Sequence, residues 1–241
     1  MATYVLVHGA FFGGWTWDAV AADLRGAGHE VETPDLPSMG DDPTSPVGLG
    51  LDAYVDRIVQ VVNAQSEPVI LVGHSLAGIV ISQTAEAVPE KVAKLVYVAG
   101  FLLPDGSSPR HFYESLGAPS PVIKNSDVSE DGVVTFHADA LAGLIFNTSP
   151  ESAVKNAAGR LRPMSRKPLG TPLKLTDERF GRVPRYYIMA LQDNAIPTQY
   201  QELMVREMPC QEVIRMDTDH SPMFADHDAF VGHLKDIAGT S

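Results

Sequence analysis

The sequence predicts an α/β protein in which a mostly parallel central sheet carries helices on both faces. Short, nearly continuous apolar runs at residues 4–7, 68–72, 94–99 and 185–191 read as strands buried on both sides. Between them, apolar residues recur at helical spacing, so strand and helix alternate, as parallel strands joined by helical crossovers require. A third observation bounds the pattern: from residue 104 to 183 the alternation breaks down into a stretch punctuated by Pro, Gly and Ser.

The first strand, residues 4–7, runs into His8-Gly9. Trp17, Val20, Ala21 and Leu24 then fall at i, i+3, i+4 and i+7, one face of a helix stopped by Gly26 and Gly28. Residues 30–33 form a second short strand ended by Pro34, and Leu51, Tyr54, Val55, Ile58 and Val62 mark the next helical face. The strand at 68–72 leads into a helix from about Leu76 to Val88, stopped by Pro89. After the strand at 94–99 comes the irregular segment, with helical pieces around 139–146 and 151–161. The alternation resumes with a strand at 185–191, a helix at 198–206 and a strand at 212–216. The last helix puts Phe230, His233, Leu234 and Ile237 on one side, with Asp226 as its N-cap. This divides the chain into a core, residues 1–103 and 184–241, and a small, mainly helical cap insertion, residues 104–183.

Composition narrows the function. At 241 residues, 44% hydrophobic and 20% charged, the chain can bury one sizeable core. A net charge of -12 without any Lys/Arg cluster argues against nucleic acid as partner. The single cysteine, Cys210, excludes an intrachain disulfide and a multi-thiolate zinc site, and His29, His111, His137, His227 and His233 lack metal-ligand spacing, so neither metal nor cofactor is expected. The N-terminus shows no basic n-region with a cleavable apolar stretch, and no apolar run reaches membrane-spanning length. The expectation is a cytoplasmic protein acting on a small molecule away from the membrane; a homodimer is compatible with the chain.

Ligands of open parallel sheets bind beyond the carboxyl ends of the strands. Gly73-His74-Ser75-Leu76-Ala77-Gly78 lies at such an end, between a strand and a helix, and approximates the G-x-S-x-G elbow that projects a nucleophilic serine, with Ala77 in place of the second glycine. Asp193 and His220 follow later strands. A serine hydroxyl attacks a carbonyl readily only when a base takes its proton. His220 is the candidate base, able to return that proton to a leaving alkoxide, and Asp193 would fix its tautomer. The negative charge formed on the substrate oxygen needs preorganised donors, for which the backbone N–H groups of Ala10 and Leu76 are placed. Asp105 is the rival acid. Asp217 and Asp219, next to the histidine, read as solvated, and His8 and His74 as structural supports of the site. Phe11, Phe12, Phe101, Leu102, Tyr113, Phe146 and Met223 are the candidates for an apolar substrate pocket.

These residues carry a resemblance to a known family. Tyr4-Val5-Leu6-Val7-His8-Gly9-Ala10, Gly13-Gly14-Trp15, Gly73-His74-Ser75-Leu76, Asp177-Glu178-Arg179-Phe180-Gly181, Gln192-Asp193-Asn194-Ala195-Ile196-Pro197 and Asp219-His220 make the chain resemble the α/β-hydrolase superfamily along almost its whole length. Within it, the resemblance is to the group of plant methyl esterases, salicylate-binding esterases and hydroxynitrile lyases. It implies a Ser75–Asp193–His220 triad under a small helical cap. Lyases of this group carry a lysine directly after the catalytic histidine and a threonine in the first loop; Ser221 and Gly9 stand there in this chain and imply ester hydrolysis. The expected activity is thus cleavage of small or medium carboxylic esters through an acyl-enzyme. The same triad would serve a lactonase or a C–C bond hydrolase, and a noncatalytic small-molecule receptor is the alternative of a different class. An aspartate nucleophile, as dehalogenases and epoxide hydrolases use, is absent at position 75.

Overall fold

A computed structural model describes residues 1–240. Six strands, β1 (Thr3–Val7), β2 (Glu30–Glu32), β3 (Val69–His74), β4 (Val92–Val98), β8 (Arg185–Ala190) and β9 (Glu212–Met216), form one parallel sheet in the order β2-β1-β3-β4-β8-β9. Every residue of β3 is buried, as expected for a strand covered on both faces. Successive side chains point to opposite faces, so each strand feeds two cores. Tyr4, Leu6, Ile70, Val72, Val96 and Val98 meet α1 (Asp18–Gly26) and α11 (His227–Gly239) through Val20, Leu24, Phe230 and Leu234, with Trp17 just before α1. Val5, Val7, Leu71, Leu95, Tyr97 and Tyr187 meet α2 (Leu51–Asn63), α3 (Ala77–Ala87) and α9 (Thr198–Glu207) through Tyr54, Ile58, Val80 and Met204. Asp226 caps α11 as predicted, its side chain accepting from Ala229 N–H at 3.3 Å. The short α10 (Pro222–Ala225) precedes that cap.

Residues 104–183 add no strand to this sheet. They contain the helices α4 (Pro109–Ser115), α5 (Pro121–Lys124), α6 (Leu141–Leu144), α7 (Glu151–Ala158) and α8 (Lys167–Gly170). To the helices expected from the sequence the structure adds an antiparallel sheet of β5 (Ser126–Val128), β6 (Val133–Phe136) and β7 (Met164–Ser165). Phe136 of β6 stacks on Phe11 at 5.4 Å, which brings this small sheet down onto the loop after β1. None of the described helices is long and apolar enough to cross a membrane.

The strand order places the site. β2 lies on one side of β1 and β3 on the other, so successive connections diverge at β1/β3 and leave a crevice beyond their carboxyl ends. His8-Gly9-Ala10 and Ser75 emerge there.

Candidate active site

β3 ends at His74, and Ser75 turns the chain at φ 55°, a left-handed conformation that non-glycine residues adopt rarely and at a cost of about 1–3 kcal/mol. Three backbone bonds hold it there: Ser75 N–H donates to Val98 O at 3.1 Å, and Ser75 O accepts from Gly78 N–H and Phe101 N–H, each at 3.1 Å. The close approaches that demand glycine fall at 73 and 78. A Cβ on Gly78 would lie 2.4 Å from Phe101 O, and one on Gly73 would lie 2.9 Å from Ala77 O. Ala77 itself is fully buried in the core at the start of α3, so its methyl group has a place and the imperfect elbow is sterically complete.

His220 and Asp193 meet at their loops' inner ends. His220 Nδ1 lies 2.7 Å from Asp193 Oδ2, and both residues are buried. The loops are stitched together by Leu191 N–H to Met216 O and Gln192 N–H to Thr218 O, each 2.9 Å. With Nδ1–H donated to the carboxylate, His220 Nε2 carries the lone pair. Asp193 Oδ1 also accepts from Ala195 N–H at 2.7 Å and Ile196 N–H at 2.8 Å, and Oδ2 from Gln201 Nε2 at 2.9 Å. Ser75 and His220 line one small cavity without a hydrogen bond between their side chains; such contacts are commonly long in unliganded sites and tighten with substrate.

Ala10 and Leu76 N–H donate to no protein acceptor among the described residues, and both residues line the main cavity with Ser75. The loop carrying Ala10 is anchored on both sides. Phe11, at φ 69°, accepts from Arg162 N–H at 2.9 Å, Phe12 O accepts from Gly40 N–H at 3.0 Å, and Asp35 takes Gly14 N–H at 2.7 Å and Asp41 N–H at 2.9 Å.

His8 and His74 sit beneath the site as supports. His8 Nδ1–H donates to Gly9 O at 2.8 Å while Nε2 accepts from Leu36 N–H at 3.0 Å, which fixes a neutral tautomer. His74 Nε2–H donates to the backbone O of His220 at 2.7 Å, and the two rings lie 4.7 Å apart. Burial pushes the pKa of both His8 and His74 below the usual imidazole range, for His74 with the neighbouring His220 as a further cause.

Two carboxylates differ from the sequence expectation or lose their candidacy. Asp105 is exposed and accepts from Leu175 N–H at 2.8 Å, away from His220. Asp217 is exposed as expected, but Asp219 is fully buried. Its Oδ2 accepts from Thr148 N–H at 2.8 Å and Ser149 N–H at 2.7 Å, its Oδ1 from Ser221 N–H at 2.9 Å, and its own N–H donates to Thr148 Oγ1 at 2.9 Å. It is thus a tie between the loop carrying His220 and residues 148–149.

A cavity of about 970 Å3 opens over Ser75, within the range of pockets that enclose whole small molecules. Of the predicted pocket residues, Phe11, Phe101 and Tyr113 line it, and Phe12 lines the small cavity beside His220. Leu102, Phe146 and Met223 do not. Leu102 is fully buried packing, Phe146 is spent on edge contacts with Phe12 and Phe224, and Met223 belongs to the core on the opposite face of the sheet. Val122, Ile123, Met164, Leu169 and Ile196 line the cavity in their stead. Four of these five come from the irregular segment, where no periodicity pointed inward.

Residues 4–233 match the alpha/beta hydrolase family. The chain belongs to that family. Methylesterase 7 of Arabidopsis thaliana is 31% identical over 98% of this chain and 95% of its own length. With three longer chloroplastic relatives from the same plant, identity is 31–32%, and the chain spans 64–71% of their length. Among solved structures, polyneuridine aldehyde esterase superposes with a TM-score of 0.90 at 25% identity, covering 99% of both chains. The hydrolase is therefore similar to the methylesterase-like group.

Proposed function

We propose that this alpha/beta hydrolase cleaves carboxylic esters with Ser75 as nucleophile, His220 as general base and acid, and Asp193 as the group that orients His220. Ser75 Oγ attacks the ester carbonyl as His220 Nε2 takes its proton, and the oxyanion is held by Ala10 and Leu76 N–H. One such donor typically contributes about 2.7–4 kcal/mol to lowering the barrier. His220 returns the proton to the leaving alkoxide, and water, activated by the same nitrogen, then hydrolyses the acyl-enzyme. The observation that carries this reading is the buried Asp193–His220 pair, 2.7 Å apart, sharing a small cavity with a serine held at positive φ.

The cavities suggest which part of the ester goes where. The leaving alkoxide must lie beside His220 to receive its proton. The cavity there, walled by His74, Phe12, Phe136 and Ile145, holds about 20 Å3, room for a methyl-sized group. The 970 Å3 cavity is left for the acyl part, under residues 104–183 acting as a cap. Small alcohols on bulky apolar acids fit this division, in keeping with the methylesterase relatives. Cyanide release is disfavoured because Ser221, beside His220, is buried, uncharged and turned by its N–H onto Asp219.

The test is a matched pair of esters of one aryl-alkyl acid, methyl against isobutyl, whose alcohols differ in bulk far more than in intrinsic reactivity. The expected kcat/KM is at least about 100-fold higher for the methyl ester. Equal rates would contradict the assignment of the small cavity to the alcohol.

A further inference from the structure

Gln201 was not singled out by its sequence, yet it is the polar residue on the buried face of α9, one turn from Met204 and fully buried. Its amide is completely engaged. Nε2 donates to Asp193 Oδ2 at 2.9 Å and Ile196 O at 2.7 Å, with Ala190 O at 3.3 Å, while Oε1 accepts from Ala190 N–H at 3.1 Å. The opposite amide orientation would set an oxygen against a carboxylate and two carbonyls, so the donors must face Asp193.

We propose that Gln201 is a positioning residue of the hydrolysis: its amide shares the Asp193 oxygen that His220 binds, and so moderates the base strength that His220 shows towards Ser75. Asp193 spreads its charge over four donors, two on each oxygen. Taking Gln201 away leaves His220 Nδ1–H as the only donor on Oδ2 among the described residues, which concentrates charge on the bond that stabilises the imidazolium. The other ionisable groups around the pair do not compete. His74 is held neutral by burial, burial likewise raises Tyr113 and Tyr187 so that both stay uncharged, and Asp219 turns its carboxylate to Thr148, Ser149 and Ser221.

The inference rests on the triad reading, and its test separates the two. Gln201→Leu and Gln201→Met both remove the donor; Met, flexible and tolerated in cores, is the variant that guards against misfolding in Leu. Thermal midpoints establish that each variant is folded. The pH dependence of kcat/KM for a short-chain aryl ester, and of the rate of labelling by a serine-directed fluorophosphonate, is then measured across the acid limb, which reports the base of the free enzyme. The expected result is that the acid limb moves to higher pH by at least about 0.5 in both readouts. A folded variant with the wild-type acid limb, whatever its maximal rate, overturns the role of Gln201 and reduces it to packing. Wild-type turnover by Ser75→Ala would overturn the triad reading instead.

Discussion

At the scale of single residues, the elbow is governed by two close backbone approaches. Gly78 faces Phe101 O and Gly73 faces Ala77 O, whereas position 77 accepts a methyl group. Ala77→Gly, which restores the ideal motif, is therefore expected to leave kcat/KM within about twofold of wild type and to lower stability by roughly 1 kcal/mol, through added backbone freedom and the loss of a fully buried methyl group. Gly78→Ala is expected to cost more than about 2 kcal/mol and most of the activity, because the added Cβ meets backbone 2.4 Å away. Urea unfolding and ester turnover of both variants check this; a stable, active Gly78→Ala would refute it. Ser75, Asp193 and His220 were legible as candidates from the sequence because each follows a strand, the first two after apolar runs. Gln201 and Asp219 were not, since a helical position and adjacency to a histidine do not reveal where an amide or carboxylate points.

At the scale of elements, the loops carrying Asp193 and His220 are tied to residues 104–183. Asn147 Nδ2 donates to Gln192 O at 3.0 Å, Asn194 Nδ2 to Gly143 O at 2.9 Å, and Asp219 gathers Thr148 and Ser149. Asp219→Ala strands three backbone N–H groups, so a loss of at least about 2 kcal/mol is expected, together with a fall in kcat as the His220 loop loosens. Thr148→Val removes only the bond to Asp219 N–H and is expected to cost about 1 kcal/mol with catalysis nearly intact. Differential scanning calorimetry with steady-state kinetics distinguishes these; an Asp219→Ala protein as stable as wild type contradicts the tie. The main-sheet strands were legible mostly as apolar runs and the helices between them from their helical spacing. β5, β6 and β7 were not: they are two to four residues long, and β5 is largely exposed, too short and too wet for alternation to register.

At the scale of the molecule, two neutral histidines beneath the site couple stability to pH. His8 and His74 are fully buried with depressed pKa values, whereas in the unfolded chain they protonate below about pH 6.5. Below that pH the unfolded state binds more protons, so stability is full above it and declines as pH falls, with a slope approaching about 2.7 kcal/mol per pH unit for two groups. Urea denaturation from about pH 7 down to about pH 5.5 measures the slope, and His74→Gln should remove about half of it; a flat profile would contradict the neutral assignment.

The same core that keeps these histidines dry presents Ser75 at the sheet's crevice, and everything proposed for the chemistry depends on that serine. Peptide mapping after reaction with a serine-directed fluorophosphonate tests it most directly. A single adduct on Ser75 is expected, formed much more slowly in His220→Ala, together with a Ser75→Ala protein that folds, takes no adduct and loses at least about 1000-fold in ester turnover. Adduct on another residue, or wild-type turnover by Ser75→Ala, would contradict it.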